Sequence, residues 1–155
     1  MIPSGMKRTY YLNLGSNLED REGNLWAADL RVSLDVGLVT ARSAIVESEP
    51  WGYESDNAFL NMAIAVEALG EPLEVLDALQ AIERELNGGR SHRDADGGYL
   101  DRLIDIDIRA IDDLVIDTPR LTVPHPRLMQ RDFFRLPMAE IAPDWCHPVT
   151  GEALL

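Results

Sequence analysis

The stretch Arg102-Leu103-Ile104-Asp105-Ile106-Asp107-Ile108 alternates apolar and acidic residues. Such alternation predicts a β-strand, because successive side chains of a strand point to opposite faces of the sheet. The three isoleucines then share the face that meets the core. Asp105 and Asp107 share the other face, about 7 Å apart along the strand. This strand is therefore expected to pack one face into the core and to present two carboxylates on the other.

Outward from that strand, the hydrophobic periodicity alternates between strand and helix patterns. Pro72 opens a helix whose buried stripe repeats at helical spacing, and Asn87-Gly88-Gly89 ends it. An earlier helix is marked by Trp26, Leu30 and Leu34, which recur every four residues. The predicted strands are residues 9–14, 38–48, 58–68 and 102–111 with a short one at 114–116, and the predicted helices are 21–34 and 72–86, the second with the stripe Val75, Leu79, Ile82 and Leu86.

The order strand, helix, strand, strand, helix, strand is the split β-α-β pattern of ferredoxin-like domains. We therefore expect an α+β fold with a β-α-β-β-α-β core, a mostly antiparallel sheet and helices packed on it. The proline-rich residues 118–126 should be extended. Residues 127–142 should form a C-terminal helical extension that Pro137 breaks or restarts. We expect one domain over residues 1–155, with residues 1–8 flexible.

Bulk properties narrow the class of protein. The chain has 155 residues and a net charge of −13, which argues against nucleic-acid or anionic-membrane binding because no basic surface would neutralise phosphates. Cys146 is the single cysteine, and no apolar stretch reads as a signal peptide or a membrane span. We expect a cytoplasmic monomer. Nine of the 13 arginines lie between Arg84 and Arg135. This clustering is informative because the guanidinium group offers a fixed set of donors that matches phosphate oxygens.

The paired carboxylates Asp105 and Asp107 are the first candidate site. Two carboxylates this close repel each other unless a cation lies between them. Magnesium would supply that charge, since it favours carboxylate oxygens and substrate phosphates. An ordinary half-exposed strand with a polar outer face remains the alternative.

Three weaker signals accompany the carboxylates. Phe59 and Asn61 share a strand face, where a ring and an amide can stack on a heterocycle and bond its edge. His125 lies between prolines in an arginine-flanked segment and could donate to a phosphate. Gln80 and Glu83 share a helix face. A core Phe with a capping Asn, a structural His and a solvated helix edge are the respective alternatives.

These segments, in this order and spacing, closely resemble the 6-hydroxymethyl-7,8-dihydropterin pyrophosphokinase family. The resemblance runs from about Thr9 to Pro143. Its motifs are Leu14-Gly15-Ser16-Asn17-Leu18, Phe59-Leu60-Asn61, Ile104-Asp105-Ile106-Asp107-Ile108, Leu121-Thr122-Val123-Pro124-His125-Pro126, Arg131-Asp132-Phe133 and Glu140-Ile141-Ala142-Pro143.

The resemblance implies transfer of pyrophosphate from ATP to the pterin hydroxymethyl group, with release of AMP, in folate synthesis. It implies two Mg²⁺ ions on Asp105 and Asp107, and catalytic roles for Arg90 and Arg102 beside them. The residues that match the pterin pocket are Ser48, Glu49, Trp51, Phe59, Asn61 and Phe133. Those that match ATP-holding positions are Gln80, Glu83, Arg93, Arg102, Ile108, Arg120, Thr122, His125 and Arg131.

The loop at residues 88–101 departs from the commoner family pattern. Tyr99-Leu100-Asp101-Arg102 stands where Trp-Gly-Pro-Arg is usual, and His92 stands near a usual loop arginine. Glycine pairs at both sides, Gly88-Gly89 and Gly97-Gly98, predict a lid that closes over the phosphates, and an idle, flexible surface loop is the alternative.

Two other classes of protein remain as alternatives at this point. One is a non-catalytic ferredoxin-like module that binds a small ligand or mediates dimerisation. The other is a nucleotidyl- or glycosyl-transferase that uses its Asp-x-Asp pair, although the strand with Phe59 and Asn61 argues mildly against it.

Overall fold

A computed structural model describes residues 6–49, 58–88 and 103–155. Trp51, Arg90, Arg93, Arg102 and the loop at residues 89–101 lie outside them. Within the described residues, seven strands and three α-helices follow one another. They are β1 (Arg8–Ser16), α1 (Arg21–Asp35), β2 (Leu38–Arg42), β3 (Val46–Ser48), β4 (Phe59–Ala68), α2 (Pro72–Leu86), β5 (Asp105–Ile111), β6 (Ile116–Asp117), β7 (Thr122–Val123) and α3 (Asp132–Ile141).

The main sheet has the strand order β2-β4-β1-β5, and β3 pairs with the far end of β4. Every described pairing in it is antiparallel. With α1 and α2 inserted after β1 and β4, this is the expected ferredoxin-like α+β arrangement. The predicted fold class is confirmed, and the central strands β1 and β4 have neighbours on both sides.

The main core lies on one face of this sheet, beneath α1 and α2. Alternate residues of the strands supply it, as the period-two pattern predicts. The predicted isoleucine face of β5 is part of it, with exposures between 0% and 5%. Its sheet residues are Tyr10, Leu12, Leu14, Met62, Ile64, Val66, Ile104, Ile106 and Ile108.

Helix α1 does not bury the stripe that its sequence suggested. Leu25, Ala28 and Val32 are fully buried, whereas Trp26 and Leu34 are 45% and 70% exposed. The sequence carries two apolar stripes on neighbouring helix faces, and periodicity alone does not select one. The helix begins at the N-cap Asp20, whose Oδ1 accepts a hydrogen bond from the Gly23 N–H at 3.1 Å.

Helix α2 begins and ends as the sequence predicts. Glu71 forms a capping box with Glu74, and Pro72 occupies the first turn. Val75, Leu79 and Ile82 are buried. Gly88 follows the helix with φ of 66°, a left-handed conformation that favours glycine.

Three sequence expectations about element boundaries are corrected. Residues 38–48 are two strands rather than one, because the chain leaves the ladder at Ser43, whose Oγ accepts the Ala63 N–H at 2.8 Å. Pro137 lies inside α3 and does not break it. The helical extension is instead divided at Arg131, between a 3₁₀ turn (Leu128–Gln130) and α3.

The short strand predicted at residues 114–116 also lies slightly elsewhere. It is β6 (Ile116–Asp117), which pairs with β7 (Thr122–Val123) inside the segment expected to be extended. His125 follows this hairpin two residues after β7, and its backbone is hydrogen-bonded to Arg109 of β5.

Part of the opposite sheet face is covered by α3 and the C-terminal segment. A second apolar cluster there joins Ala110, Leu128, Met138, Ala139 and Leu154. The remainder of that face, towards the start of β5, is open and forms a cleft. Among the described helices, none has the length and apolar character that crossing a membrane requires.

Candidate active site

The carboxylates of Asp105 and Asp107 lie on the open face of β5. Both residues are half-buried, and the Asp107 side chain keeps 39% of its surface exposed. In the register of the sheet, Gly15 on β1 lies opposite Asp105 and Asn13 lies opposite Asp107. The alternation of β5 therefore places the two acids as the sequence predicts.

The surroundings of the Asp107 carboxyl disfavour its ionised form. Burial raises the pKa of its carboxyl to about 6, and the neighbouring Asp105 carboxylate raises it as well, while Arg109 and His125 act in the opposite direction. A site that disfavours its own second negative charge favours a bound cation.

Phe59 and Asn61 lie on the open face of β4. Phe59 is 8% exposed and Asn61 is 3% exposed. The Asn61 amide donates to Ser48 Oγ at 2.7 Å, and Asn13 Nδ2 donates to Asn61 Oδ1 at 3.4 Å. These two bonds fix which way the Asn61 amide faces.

Gly15 separates the carboxylates from the aromatic strand. It pairs with Asn61 on one side and with Asp105 on the other. A Cβ at this position would lie 3.3 Å from Asn61 Oδ1 and 3.5 Å from the Phe59 ring. The missing side chain leaves room at the centre of the cleft, where a larger residue would fill it.

Helix α2 supplies the wall on the other side of the carboxylates. Glu83 is 7% exposed, and its Oε2 accepts the Ile106 N–H at 2.7 Å, between the two aspartates. Gln80 Oε1 accepts a hydrogen bond from Arg120 at 3.3 Å, and Arg120 also pairs with Asp77. Glu83 is therefore part of the buried face of α2 rather than its solvated edge.

His125 closes the cleft beside Asp107. Its backbone N–H donates to the Arg109 carbonyl at 2.7 Å, which fastens the segment to β5. Burial and the Arg109 guanidinium lower the pKa of the imidazole to about 4. The ring is neutral at neutral pH, and its Nδ1 accepts the Arg127 N–H at 3.1 Å, so Nε2 carries the proton.

All these groups surround one cavity of about 560 Å³. Every described residue of the predicted site lines it, from both the pterin and the ATP sets. They are Ser48, Glu49, Phe59, Asn61, Gln80, Glu83, Asp105, Asp107, Ile108, Arg120, Thr122, His125, Arg131 and Phe133. The predicted residues Trp51, Arg90, Arg93 and Arg102, the lid, His92 and Tyr99 lie outside the described residues.

The cavity also contains residues that the sequence did not single out. Arg109 and Phe134 lie beside Asp107 and Phe133, and Asn13 lies beneath Asn61. Arg127 and Leu76 complete the wall. The alternation of β1 could have suggested Asn13, since it is polar between Leu12 and Leu14, and the alternation of β5 could have suggested Arg109, two residues after Asp107.

The fold and the cleft together define a class of protein. It is a small α+β enzyme whose cleft combines paired carboxylates, arginines and an aromatic-and-amide strand, a combination suited to a phosphorylated substrate and a flat heterocycle.

The sequence model of one family, 7,8-dihydro-6-hydroxymethylpterin-pyrophosphokinase (HPPK), matches residues 11–143. The chain belongs to this family. It is 45% identical over 139 residues to the 2-amino-4-hydroxy-6-hydroxymethyldihydropteridine pyrophosphokinase of Porphyromonas gingivalis, covering 89% of this chain and 92% of that protein. It is 38% identical over 149 residues to the protein of the same name from Bacillus subtilis, covering 96% and 84%.

Solved structures agree on the fold. Wild-type HPPK-DHPS of Plasmodium falciparum superposes with a TM-score of 0.75 at 15% identity, and it covers 96% of this chain and 44% of that longer chain. The chain thus spans under half the length of that protein. Membership of a pyrophosphokinase family excludes the non-catalytic module and the nucleotidyl- or glycosyl-transferase as readings of this chain.

Proposed function

We propose that this chain transfers pyrophosphate from ATP to the hydroxymethyl group of 6-hydroxymethyl-7,8-dihydropterin, releasing AMP, in folate synthesis. The observation that carries the proposal is the cleft itself. The carboxylate pair of β5 and the Phe59/Asn61 pair of β4 face one cavity on either side of Gly15. The family indicates the identity of the substrates, and the two residue pairs support one side of the cavity for each.

The carboxylate pair fits magnesium. Among the described residues no group of three or more His, Cys, Asp or Glu side chains could enclose a metal. Two carboxylates in an open cleft instead leave most coordination positions for water and substrate phosphates, as Mg²⁺ prefers. We propose that Asp105 and Asp107 hold two such ions. When bound, magnesium neutralises phosphate charge and polarises the phosphorus that is attacked.

The pterin side is assigned to Phe59, Asn61 and Phe133. Phe59 and Phe133 stack on the two faces of the ring, and Asn61 bonds its edge through an amide that Ser48 and Asn13 hold in place. Phe133 packs against Phe134 edge to face, with 4.4 Å between the centroids of the two rings. Ser48 and Glu49 line the same cavity, and from the family resemblance we assign Trp51 to this pocket with them.

The phosphate side is assigned to arginines and to His125. Arg102, Arg120 and Arg131 neutralise phosphate charge, and the neutral His125 donates its Nε2 proton to a phosphate oxygen. Gln80, Glu83, Ile108 and Thr122 hold the remainder of ATP. Glu83 does so indirectly as well, because its bond to the Ile106 N–H sets the start of β5.

The chemical step then needs positioning more than covalent help. The hydroxymethyl oxygen attacks the β-phosphorus, the bond from that phosphorus to the bridging oxygen of the α-phosphate breaks, and AMP leaves. We find no side chain placed as a strong general base among the described cleft residues, and proton loss to water suffices in this scheme.

The loop at residues 88–101 is proposed to be a lid, with Arg90 and Arg93 reaching the phosphates when it closes. Hydrogen exchange tests this: its amides should exchange fast in the free protein and slow markedly with an ATP analogue, magnesium and pterin together. Equal exchange in both states would remove Arg90 and Arg93 from the site.

Further proposals concern the whole protein. We propose a single domain, acting in the cytoplasm where its ATP is available. We also propose that the protein is a monomer and binds neither nucleic acid nor membranes. Sedimentation of the protein alone, with nucleic acid and with lipid vesicles would test this.

The function is tested by incubating the protein with ATP, magnesium and 6-hydroxymethyl-7,8-dihydropterin and separating the products. AMP and the pterin diphosphate should appear in equal amounts, and AMP should appear only when the pterin is present. AMP formed equally fast without pterin, or no AMP with all three components, would contradict the proposal.

A further inference from the structure

Arg109 is a buried arginine at the back of the cleft. It is 2% exposed. Tyr11 pairs with Ala110 whereas Leu12 pairs with Ile108, so Arg109 is the extra residue of a β-bulge in β5. The alternation of β5 places Arg109 on the open face, two residues after Asp107, and the bulge leaves it without an opposing residue on β1.

The surroundings of Arg109 do not satisfy it. Its Nη2 donates to Asp107 Oδ2 at 3.2 Å, and its Cζ lies 3.1 Å from the centroid of the Phe134 ring. Its Nε and Nη1 are buried without a hydrogen-bond partner among the residues that the structure describes. A buried charge with unmet donors destabilises a fold, so stability does not explain this arginine.

We propose that Arg109 is a fixed internal cation that makes metal binding at Asp107 depend on the nucleotide. This inference rests on the proposed function, in which Asp107 holds a metal beside ATP. Arg109 is a positioning residue in it, acting through the Asp107 carboxylate and through its charge.

The charge of Arg109 acts with opposite sign on the two ligands. A free divalent cation that approaches Asp107 meets a guanidinium already bonded to the same carboxylate, so its binding is weakened. A polyanionic nucleotide is attracted by the same charge, which a half-buried site screens less than bulk water does. The metal therefore binds well only when phosphates arrive with it.

The test measures each ligand alone. Mn²⁺, visible by electron paramagnetic resonance, replaces Mg²⁺, and a non-cleavable ATP analogue is titrated in the presence of chelator, both near pH about 8.5, where carboxylates are ionised. R109M should bind Mn²⁺ roughly tenfold more tightly or better without nucleotide, and the metal-free analogue roughly tenfold more weakly. R109K keeps the charge and should resemble wild type in both.

Matched variants separate charge from packing. R109Q is neutral but keeps a donor for Asp107, and it should follow R109M. R31M removes the same unit of charge from Arg31, which pairs with Asp35 and Glu85 away from the cleft, and it should change neither affinity. If R109M and R109Q weaken both ligands, or change neither, the inference is overturned. If neither neutral variant folds, Arg109 serves the fold and the inference is also overturned.

The same measurements distinguish a failure of the proposed metal site from a failure of the inference about Arg109. Wild type should bind Mn²⁺ with the analogue present, and D107N should lose that binding. If D107N binds the metal as wild type does, Asp107 is not a metal ligand, and the proposed site fails before Arg109 is considered.

Discussion

The two faces of the central sheet differ in composition although alternate residues of the same strands build both. Towards α1 and α2, β1, β4 and β5 present mainly apolar side chains, among them Leu14, Ile64 and Ile106, while Ser16 accepts a hydrogen bond from Asn24 of α1. Towards the cleft the same strands present amides and carboxylates. That second face includes Asn13, Asn61, Asp105 and Asp107, together with Phe59, Arg109 and Gly15.

Within each strand, the residues of one face stabilise the fold and those of the other face form the proposed site. The helix-covered face removes apolar surface from water and stabilises the fold. The cleft face holds two close carboxylates and a buried guanidinium with unmet donors, an arrangement that opposes stability. Substitutions on one face should therefore change folding, and substitutions on the other should change turnover.

The largest effect is expected at the carboxylates. D105A or D107A should lower turnover by about a thousandfold or more, because each would remove a proposed metal ligand from the charge-neutralising site. The melting temperature without magnesium should not fall in D105A, since carboxylate repulsion is relieved, whereas it should fall in D107A, because Arg109 loses its carboxylate partner. Steady-state kinetics and thermal unfolding measure both, with D113A, an exposed acid in the turn after β5, as control. A folded variant with near-wild-type turnover would contradict the assignment.

The reverse outcome is expected on the core face. Ile64 is fully buried on β4, and I64A should lower the free energy of unfolding by about 2–5 kcal/mol while the folded fraction keeps its turnover. Urea unfolding and active-site titration measure the two quantities. L38A, at a residue 66% exposed, should change stability by under about 0.5 kcal/mol. Loss of specific turnover in I64A would show that the two faces are coupled.

The cleft face should itself divide into a pterin half and a nucleotide half. F59A should weaken pterin binding by about 1–3 kcal/mol, the scale of stacking on an aromatic side chain, and leave binding of an ATP analogue unchanged. Calorimetry with each ligand separately measures this. W26A, which removes an exposed ring from α1, is the control. Equal losses for both ligands in F59A would indicate a folding defect instead.

The smallest effect concerns acid stability, where two cleft groups oppose each other. Asp107, with its pKa raised from 3.8 to about 6, favours the folded state at low pH, and this contribution is lost as pH rises through about 6. His125, with its pKa lowered from 6.5 to about 4, favours the folded state above 6.5, and this contribution is lost as pH falls towards 4.

Removing Asp107 and removing His125 should therefore change the pH dependence of the free energy of unfolding in opposite directions. Between about pH 6.5 and 4.5, D107N should lose stability more steeply than wild type, and H125Q less steeply, each by well under about 1.4 kcal/mol per pH unit. Urea unfolding across this range measures the slopes. Slopes that change in the same direction for both variants would show that the groups do not titrate as described.

Elements with a strong local signal were predictable from sequence. The alternation in β5 placed Asp105 and Asp107 opposite the isoleucine face, and Pro72 with the glycines after Asn87 marked both ends of α2. The order of elements then gave the ferredoxin-like arrangement. The residues gathered round the cavity followed from the family resemblance rather than from any one pattern.

Features decided by tertiary contacts were not predictable. Whether α1 buries Leu25 or Trp26 depends on how the helix rolls on the sheet, which its periodicity leaves open. The bulge at Arg109 shifts the register of β5 beyond it, so that Ala110 and Ile111 pair with Tyr11 and Tyr10, and a strand pattern does not show where such an extra residue lies. Pro137 lies within α3 without ending it, whereas the loss of its N–H led us to expect a break there.

The central claim is that both substrates meet on the cleft face of the sheet, and the structure of the complex with a non-cleavable ATP analogue, magnesium and the pterin tests it most directly. The account predicts the pterin ring between Phe59 and Phe133, and magnesium between the phosphates and the carboxylates of Asp105 and Asp107. A pterin bound elsewhere, or phosphates and metal that do not contact either aspartate, would contradict it.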